Sequence, residues 1–158
     1  MKRLKLYLDT SVISYLDQQD APEKMNDTHE LWKDIKIGKY DVVVSDVTLY
    51  EIAKSPEPKH TLFLSMLNEI QYHNVDQTDE AKRLCNLYFE VGGLPPKSKN
   101  DAMHIAIATV SECNVILSWN FKHIVNIRAM TAVDAVNLKE GYRQLRILSP
   151  TMLLEREE

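Results

Sequence analysis

Apolar and polar positions along the chain group into short runs that alternate in period. Residues 4–8 form an apolar-rich run that stops at Asp9-Thr10-Ser11, which predicts a strand. Residues 41–45 hold the β-branched run Val42-Val43-Val44 between polar residues, the pattern of a buried strand. Further strands are predicted at 71–75, 115–118 and 145–148. Between them lie helical patterns at 12–16, 30–37, 46–53, 61–70, 78–91, 100–113, 121–125 and 129–138. Gly38 ends one of these and Gly92-Gly93-Leu94-Pro95-Pro96 breaks the chain firmly after another. The segment 17–27, polar and carrying Pro22, reads as a loop. The helix at 100–113 is Ala-rich and apolar on nearly every face, so burial on most sides is expected.

Strands alternating with helices predict an α/β fold: a three-layer α/β/α domain with a mostly parallel central sheet. The 158 residues, 44% hydrophobic and 27% charged, suit one compact domain spanning 1–158. Disorder is expected at most in the acidic end, residues 155–158. No apolar run approaches the roughly 20 residues of a membrane span, and the first residues reach a charged Asp too early for a signal peptide. Two cysteines, Cys85 and Cys113, give no disulfide framework and suit a reducing cytoplasm. The formal net charge of −4 argues against a protein that coats nucleic acid by bulk charge. It leaves room for an enzyme with a local basic rim. No CxxC or HxxxH spacing suggests structural zinc, and no Walker loop or GxGxxG is present.

In parallel sheets, ligands lie beyond the carboxyl ends of the strands. Three acids occupy such places: Asp9 ends the first strand, Glu51 lies one turn into the helix after the second, and Asp101 opens the buried helix before the fourth. Three clustered carboxylates resist ionising together, and a hard divalent cation relieves them. Each acid also has a purely structural reading. Asp9 can cap the next helix, Thr48-x-x-Glu51 fits a capping box, and Ser98-x-x-Asp101 fits a looser one.

Tyr7-Leu8-Asp9-Thr10-Ser11-Val12 resembles the opening motif of PIN domains, and Leu49-Tyr50-Glu51-Ile52 their second acidic motif. Asn100-Asp101-Ala102-Met103-His104-Ile105-Ala106 resembles the third, and Leu117-Ser118-Trp119-Asn120-Phe121-Lys122-His123 stands where that family has its fourth. Leu145-Arg146-Ile147-Leu148-Ser149-Pro150 resembles the family's last strand. The resemblance implies a Mg²⁺- or Mn²⁺-dependent ribonuclease of the VapC toxin type, with RNA as substrate, an antitoxin protein as partner and a homodimer as assembly. Asp9, Glu51 and Asp101 become the metal ligands, with Asn120 joining them as a catalytic group. Asn120 departs from the family, which commonly has an acid there. An amide offers a carbonyl oxygen but no charge, so a second metal would be held less tightly.

Ser11, Ser118, Lys97, Lys99 and Lys122 are the candidate substrate-binding residues, with Arg128 beside them. His104 reads as a hydrogen-bonded core histidine and His123 as either a phosphate contact or a surface group. Tyr50 and Trp119 are candidates for stacking on bases or for plain packing. Two rivals stand beside the nuclease: a PIN-fold module that binds RNA or protein without cutting, and a phosphotransfer domain using Asp9 as acceptor. The second usually carries another Asp two residues on, where this chain has Ser11.

Overall fold

The computed structural model describes residues 2–154; the expectation of a disordered acidic end falls outside them. Five strands, β1 (Lys5–Leu8), β2 (Asp41–Ser45), β3 (His73–Val75), β4 (Val115–Leu117) and β5 (Arg146–Leu148), form one sheet in the order β3-β2-β1-β4-β5. Every pairing is parallel. Leu6 of β1 stands between Val42 of β2 and Val115 of β4, so the first strand made is the central one.

Alternation of side chains across the pleat splits the interior into two cores. Tyr7, Val43, Ile116 and Ile147 point to one face. There they meet α5 (Asp79–Glu90), α6 (Lys99–Val110) and α7 (Ile127–Glu140). Leu6, Leu8, Val42, Val44, Val115 and Leu117 point to the other. That face is covered by α1 (Thr10–Ser14), α2 (Pro22–Lys36), α3 (Asp46–Ala53) and α4 (Lys59–Leu67). The three-layer α/β/α architecture expected from the pattern is therefore the one present. Ala102 through Thr109 of α6 are all buried, as an apolar-all-round helix requires. Cys85 and Cys113 are buried free thiols, and burial pushes the second up to about 12.

Four expectations need correction. Residues 22–27 are helical, because Pro22 sits in the first turn of α2, where its missing N–H costs nothing. Residues 121–125 form turns rather than a helix: the N–H groups of Ile124 and Val125 both fold back on the Asn120 carbonyl. Asn126 then caps α7 by accepting from Ala129 N–H at 2.9 Å. Ser149-Pro150 opens a short helix, α8 (Pro150–Leu153), that the pattern did not suggest. Neither capping box forms. Ser45 caps α3, leaving Thr48 inside the helix with its hydroxyl on the Leu8 carbonyl, and Ser98 makes no side-chain cap on α6.

Candidate functional site

The sheet reverses its order of growth at β1, with β2 and β3 added on one side and β4 and β5 on the other. Such a switch point opens a crevice beyond the carboxyl ends of β1 and β4. Asp9 leaves β1 there and is only 3% exposed. Its carboxylate accepts from the Ser11 hydroxyl at 2.5 Å and from Val12 N–H at 3.3 Å, so the helix-capping reading is also correct. Burial drives its pKa upward, and the nearby charge of Asp101 adds to this. The charge of His104 and the Ser11 and Ser118 hydroxyls oppose it without prevailing.

Glu51 reaches from α3 towards α1 and α6. Its Oε1 accepts from Thr10 Oγ1 at 2.9 Å and pairs with His104 Nε2 at 2.7 Å. Partial burial works against ionisation, yet hydrogen bonds from His104 and Thr10, with the charges of His104 and Lys54, hold the carboxyl below its usual range. His104 is backed in turn by Tyr7, whose hydroxyl lies 2.5 Å from Nδ1 and 2.6 Å from Ser45 Oγ. Burial pushes the Tyr7 phenol well above its ordinary pKa, so it stays protonated. When the His104 imidazole is neutral, one donor direction satisfies the whole chain. Ser45 donates to Tyr7, Tyr7 donates to His104 Nδ1, and His104 Nε2–H donates to Glu51.

Asp101 enters in the first turn of α6, where the helix dipole favours a negative charge. The Asn120 amide donates to its Oδ2 at 3.1 Å, and His123 Nδ1 lies 3.2 Å from the same oxygen. Asn120 Oδ1 is taken by His123 N–H at 3.2 Å, so the amide group rather than the carbonyl oxygen faces the acid. Two hydroxyls tie this turn to β1: Ser11 Oγ accepts from Trp119 N–H at 2.8 Å, and Ser118 Oγ accepts from Asn120 N–H at 2.9 Å.

The crevice thus gathers Asp9, Asp101, Asn120, Ser11 and Ser118, with Glu51 joined through Thr10 and His104. Among the described residues, no three His, Cys, Asp or Glu side chains converge into a ready ion cage. Glu51 is paired with His104 and Asp101 with His123. Nor does any Lys or Arg among the described residues make a salt bridge to Asp9, Glu51 or Asp101. Lys99 and Lys122, with Arg128, line a groove beside His123, whereas Lys97 lies outside that lining. Trp119 is buried, stacked on Tyr15 at 5.5 Å between ring centroids and hydrogen-bonded to Thr28, so packing is its role. Tyr50 is exposed, with the Lys54 ammonium over its ring.

Sequence reasoning passed over Tyr7 and undervalued His104. The available signal was the spacing from Asp101 to His104, which puts both on one side of α6, in a helix that is otherwise mostly apolar after its first turn. His123 stands in the same relation to Asn120.

A parallel α/β domain with an acid-lined crevice at its switch point belongs to a class whose members bind or process ligands at that crevice. Residues 6–126 match the PIN domain family model, and this chain belongs to the PIN domain family. No curated protein matches the sequence. Among solved structures, a chain of VapBC2 from Rickettsia felis, bound to a DNA fragment from their promoter, is 13% identical. That match covers 92% of this chain and 98% of that one, with a TM-score of 0.53. A chain of DNA-bound VapBC from Salmonella typhimurium is 16% identical, covering 93% of this chain and 98% of that one, with a TM-score of 0.54.

Proposed function

We propose that this protein is a divalent-metal-dependent endoribonuclease, the toxin of a toxin–antitoxin pair. One observation carries the reading: Asp9 and Glu51, on the segments that leave β1 and β2, and Asp101, in the first turn of α6, stand around the switch-point crevice, and among the described residues none of them forms a salt bridge with a Lys or Arg. The donor set fits Mg²⁺ or Mn²⁺, which favour carboxylate oxygens. Asp9 is a buried acid whose ionisation wants a positive partner, and Glu51 is already held ionised. A cation held by these three would polarise the phosphoryl oxygens and offset the charge that develops at phosphorus. The rest falls to the chain itself. Ser11 fixes the Asp9 rotamer, His104 with Tyr7 behind it fixes Glu51, and Asn120 with His123 fixes Asp101.

The test is cleavage of RNA with added Mg²⁺ or Mn²⁺. Chelator abolishes it, and Asp9→Asn or Asp101→Asn abolishes it without loss of fold. Cleavage by the wild type that is equal in chelator overturns the reading. The rival, a PIN-fold module that binds RNA or protein without cutting, draws on the uncharged Asn120 and the uncollected carboxylates. Tight RNA binding with no metal-dependent cleavage establishes it.

The similarity to chains from VapBC complexes supports an antitoxin as partner. A basic segment of it, with an arginine in the crevice, would satisfy the carboxylates much as a cation does. Self-association to a homodimer and residence in the cytoplasm complete the proposal. No helix among the described residues is long and apolar enough to cross a membrane. A protein that stays monomeric at micromolar concentration and ignores the product of the adjacent gene is no toxin of this kind, while its nuclease activity stands.

A further inference from the structure

A groove of about 820 Å³ runs between the 92–96 loop, the turn after β4 and the start of α7. Its size falls in the range of about 300–1,000 Å³ typical of small-ligand pockets, room for one or two nucleotides. Its wall is fixed rather than loose. Gly93 packs so closely on α7 that a Cβ there would lie 2.0 Å from the Ala132 Cβ and 3.1 Å from the Arg128 carbonyl oxygen. Lys99, Lys122 and Arg128 line it, and no Asp or Glu does. Among the described residues, none of these three cations makes a salt bridge. On a chain of formal net charge −4, a built groove with only positive charges in its lining is complementary to an anion.

Two further features narrow the anion. Phe89 and Phe121 supply aromatic surface to the same groove. Phe121 remains 42% exposed although its ring is steadied by an edge contact to Trp119 and by the Lys24 ammonium 5.0 Å from its centre. Cations beside open aromatic rings are the arrangement that holds unstacked bases with their phosphates. The groove also leads to the acids, because His123 lines it and lies 3.2 Å from Asp101 Oδ2.

We infer that this groove is the subsite for a single-stranded segment of RNA flanking the phosphate placed at the crevice. Phe121 stacks on a base, and Lys122 and Arg128 contact the adjoining phosphates. A basic antitoxin segment does not suit this lining, and an acidic peptide has no use for the exposed ring. The inference rests on the nuclease reading, and its test is kept separate by measuring binding alone.

The experiment is fluorescence anisotropy with a short labelled oligouridylate, in Mg²⁺, at several salt concentrations. All proteins carry Asp9→Asn so that the RNA is not cut, and melting curves check that each variant is folded. Adding Phe121→Ala should weaken binding about tenfold, the lower part of the range for one lost base stack. Its salt dependence should not change. Adding Lys122→Ala with Arg128→Ala should weaken binding and reduce the log–log salt slope by about 0.7 for each lost phosphate contact. Folded variants that bind with the affinity and slope of their parent overturn the subsite, even where wild-type cleavage stands. Displacement of the RNA by polyglutamate at equal concentration overturns it too, in favour of an acidic protein partner. Failure of metal-dependent cleavage with the binding pattern intact removes the nuclease reading and leaves the RNA groove.

Discussion

A carboxyl group with 3% of its surface exposed and no salt bridge among the described residues pays for its charge in stability. Asp9 has its pKa raised by burial, so the folded protein resists an ionisation that the unfolded chain accepts near the ordinary value of about 3.9. The contribution of Asp9 to stability is fully present below that value and is lost as pH rises through the raised one. Asp9→Asn keeps an oxygen for Val12 N–H and the Ser11 hydroxyl but carries no charge. In chelator it should melt above the wild type at neutral pH, with the gap closing on acidification below about pH 4. Saturating Mg²⁺ should narrow the gap by raising the wild type. A gap independent of pH in calorimetric melts would mean that desolvation of Asp9 is not its source. Asn120 poses the converse case. Its amide donates to Asp101, so Asn120→Asp sets two acids against each other when no cation is present. Asn120→Asp should unfold more readily in chelator, yet need less Mg²⁺ for half-maximal cleavage, since an added carboxylate attracts a dication. Asn120→Ala should cost less activity than Asp9→Asn. An unchanged metal requirement in Asn120→Asp would mean that the side chain does not serve the site.

Between elements, the notable connection is the donor chain from Ser45 through Tyr7 and His104 to Glu51, which joins β2, β1, α6 and α3. Tyr7 and His104 are buried, so a missing partner there is expensive. Tyr7→Phe leaves His104 Nδ1 without its donor and Ser45 without its acceptor. Urea denaturation should show a loss of about 1–3 kcal/mol. His104→Ala, one step nearer the acid, should weaken Mg²⁺ binding or activity by about 10- to 100-fold, the usual scale for a residue that orients a metal ligand. Full activity and unaltered metal dependence in His104→Ala would reduce the chain to a core packing device. The sequence pattern disclosed the strands well, since β-branched and apolar runs ended by polar residues have few other uses. It made candidates of Asp9 and Glu51 because they follow strands, and of Asp101 because it opens a buried helix. It could not disclose the chain behind Glu51, because a tyrosine in a buried strand and a histidine in an apolar helix look like packing until their neighbours are known. Nor could it separate a turn from a helix at 121–125. That choice was made by Asn120 and Asn126, whose side chains take backbone N–H groups the helix would have used.

At the scale of the whole molecule, the order β3-β2-β1-β4-β5 has a consequence in time as well as in space. The central strand is the first to be synthesised, and one of its two neighbours, β4, is separated from it by most of the chain. At roughly 5–20 residues per second on a ribosome, β1 waits on the order of 5–20 s for that neighbour. Until then Asp9 has β2 on one side only, and neither Ser118 nor Asn120 has yet been made. The crevice therefore forms only after β4 and the turn behind it have been made. A polypeptide abandoned before β4 carries all three acids and much of the apolar sheet, but neither the floor of the crevice nor the amide that steadies Asp101. Truncated products should accordingly be inert at the crevice and prone to cling to other chains through the open edge of β1. Translation itself then keeps the acidic site unassembled until β4 and the turn after it have been made.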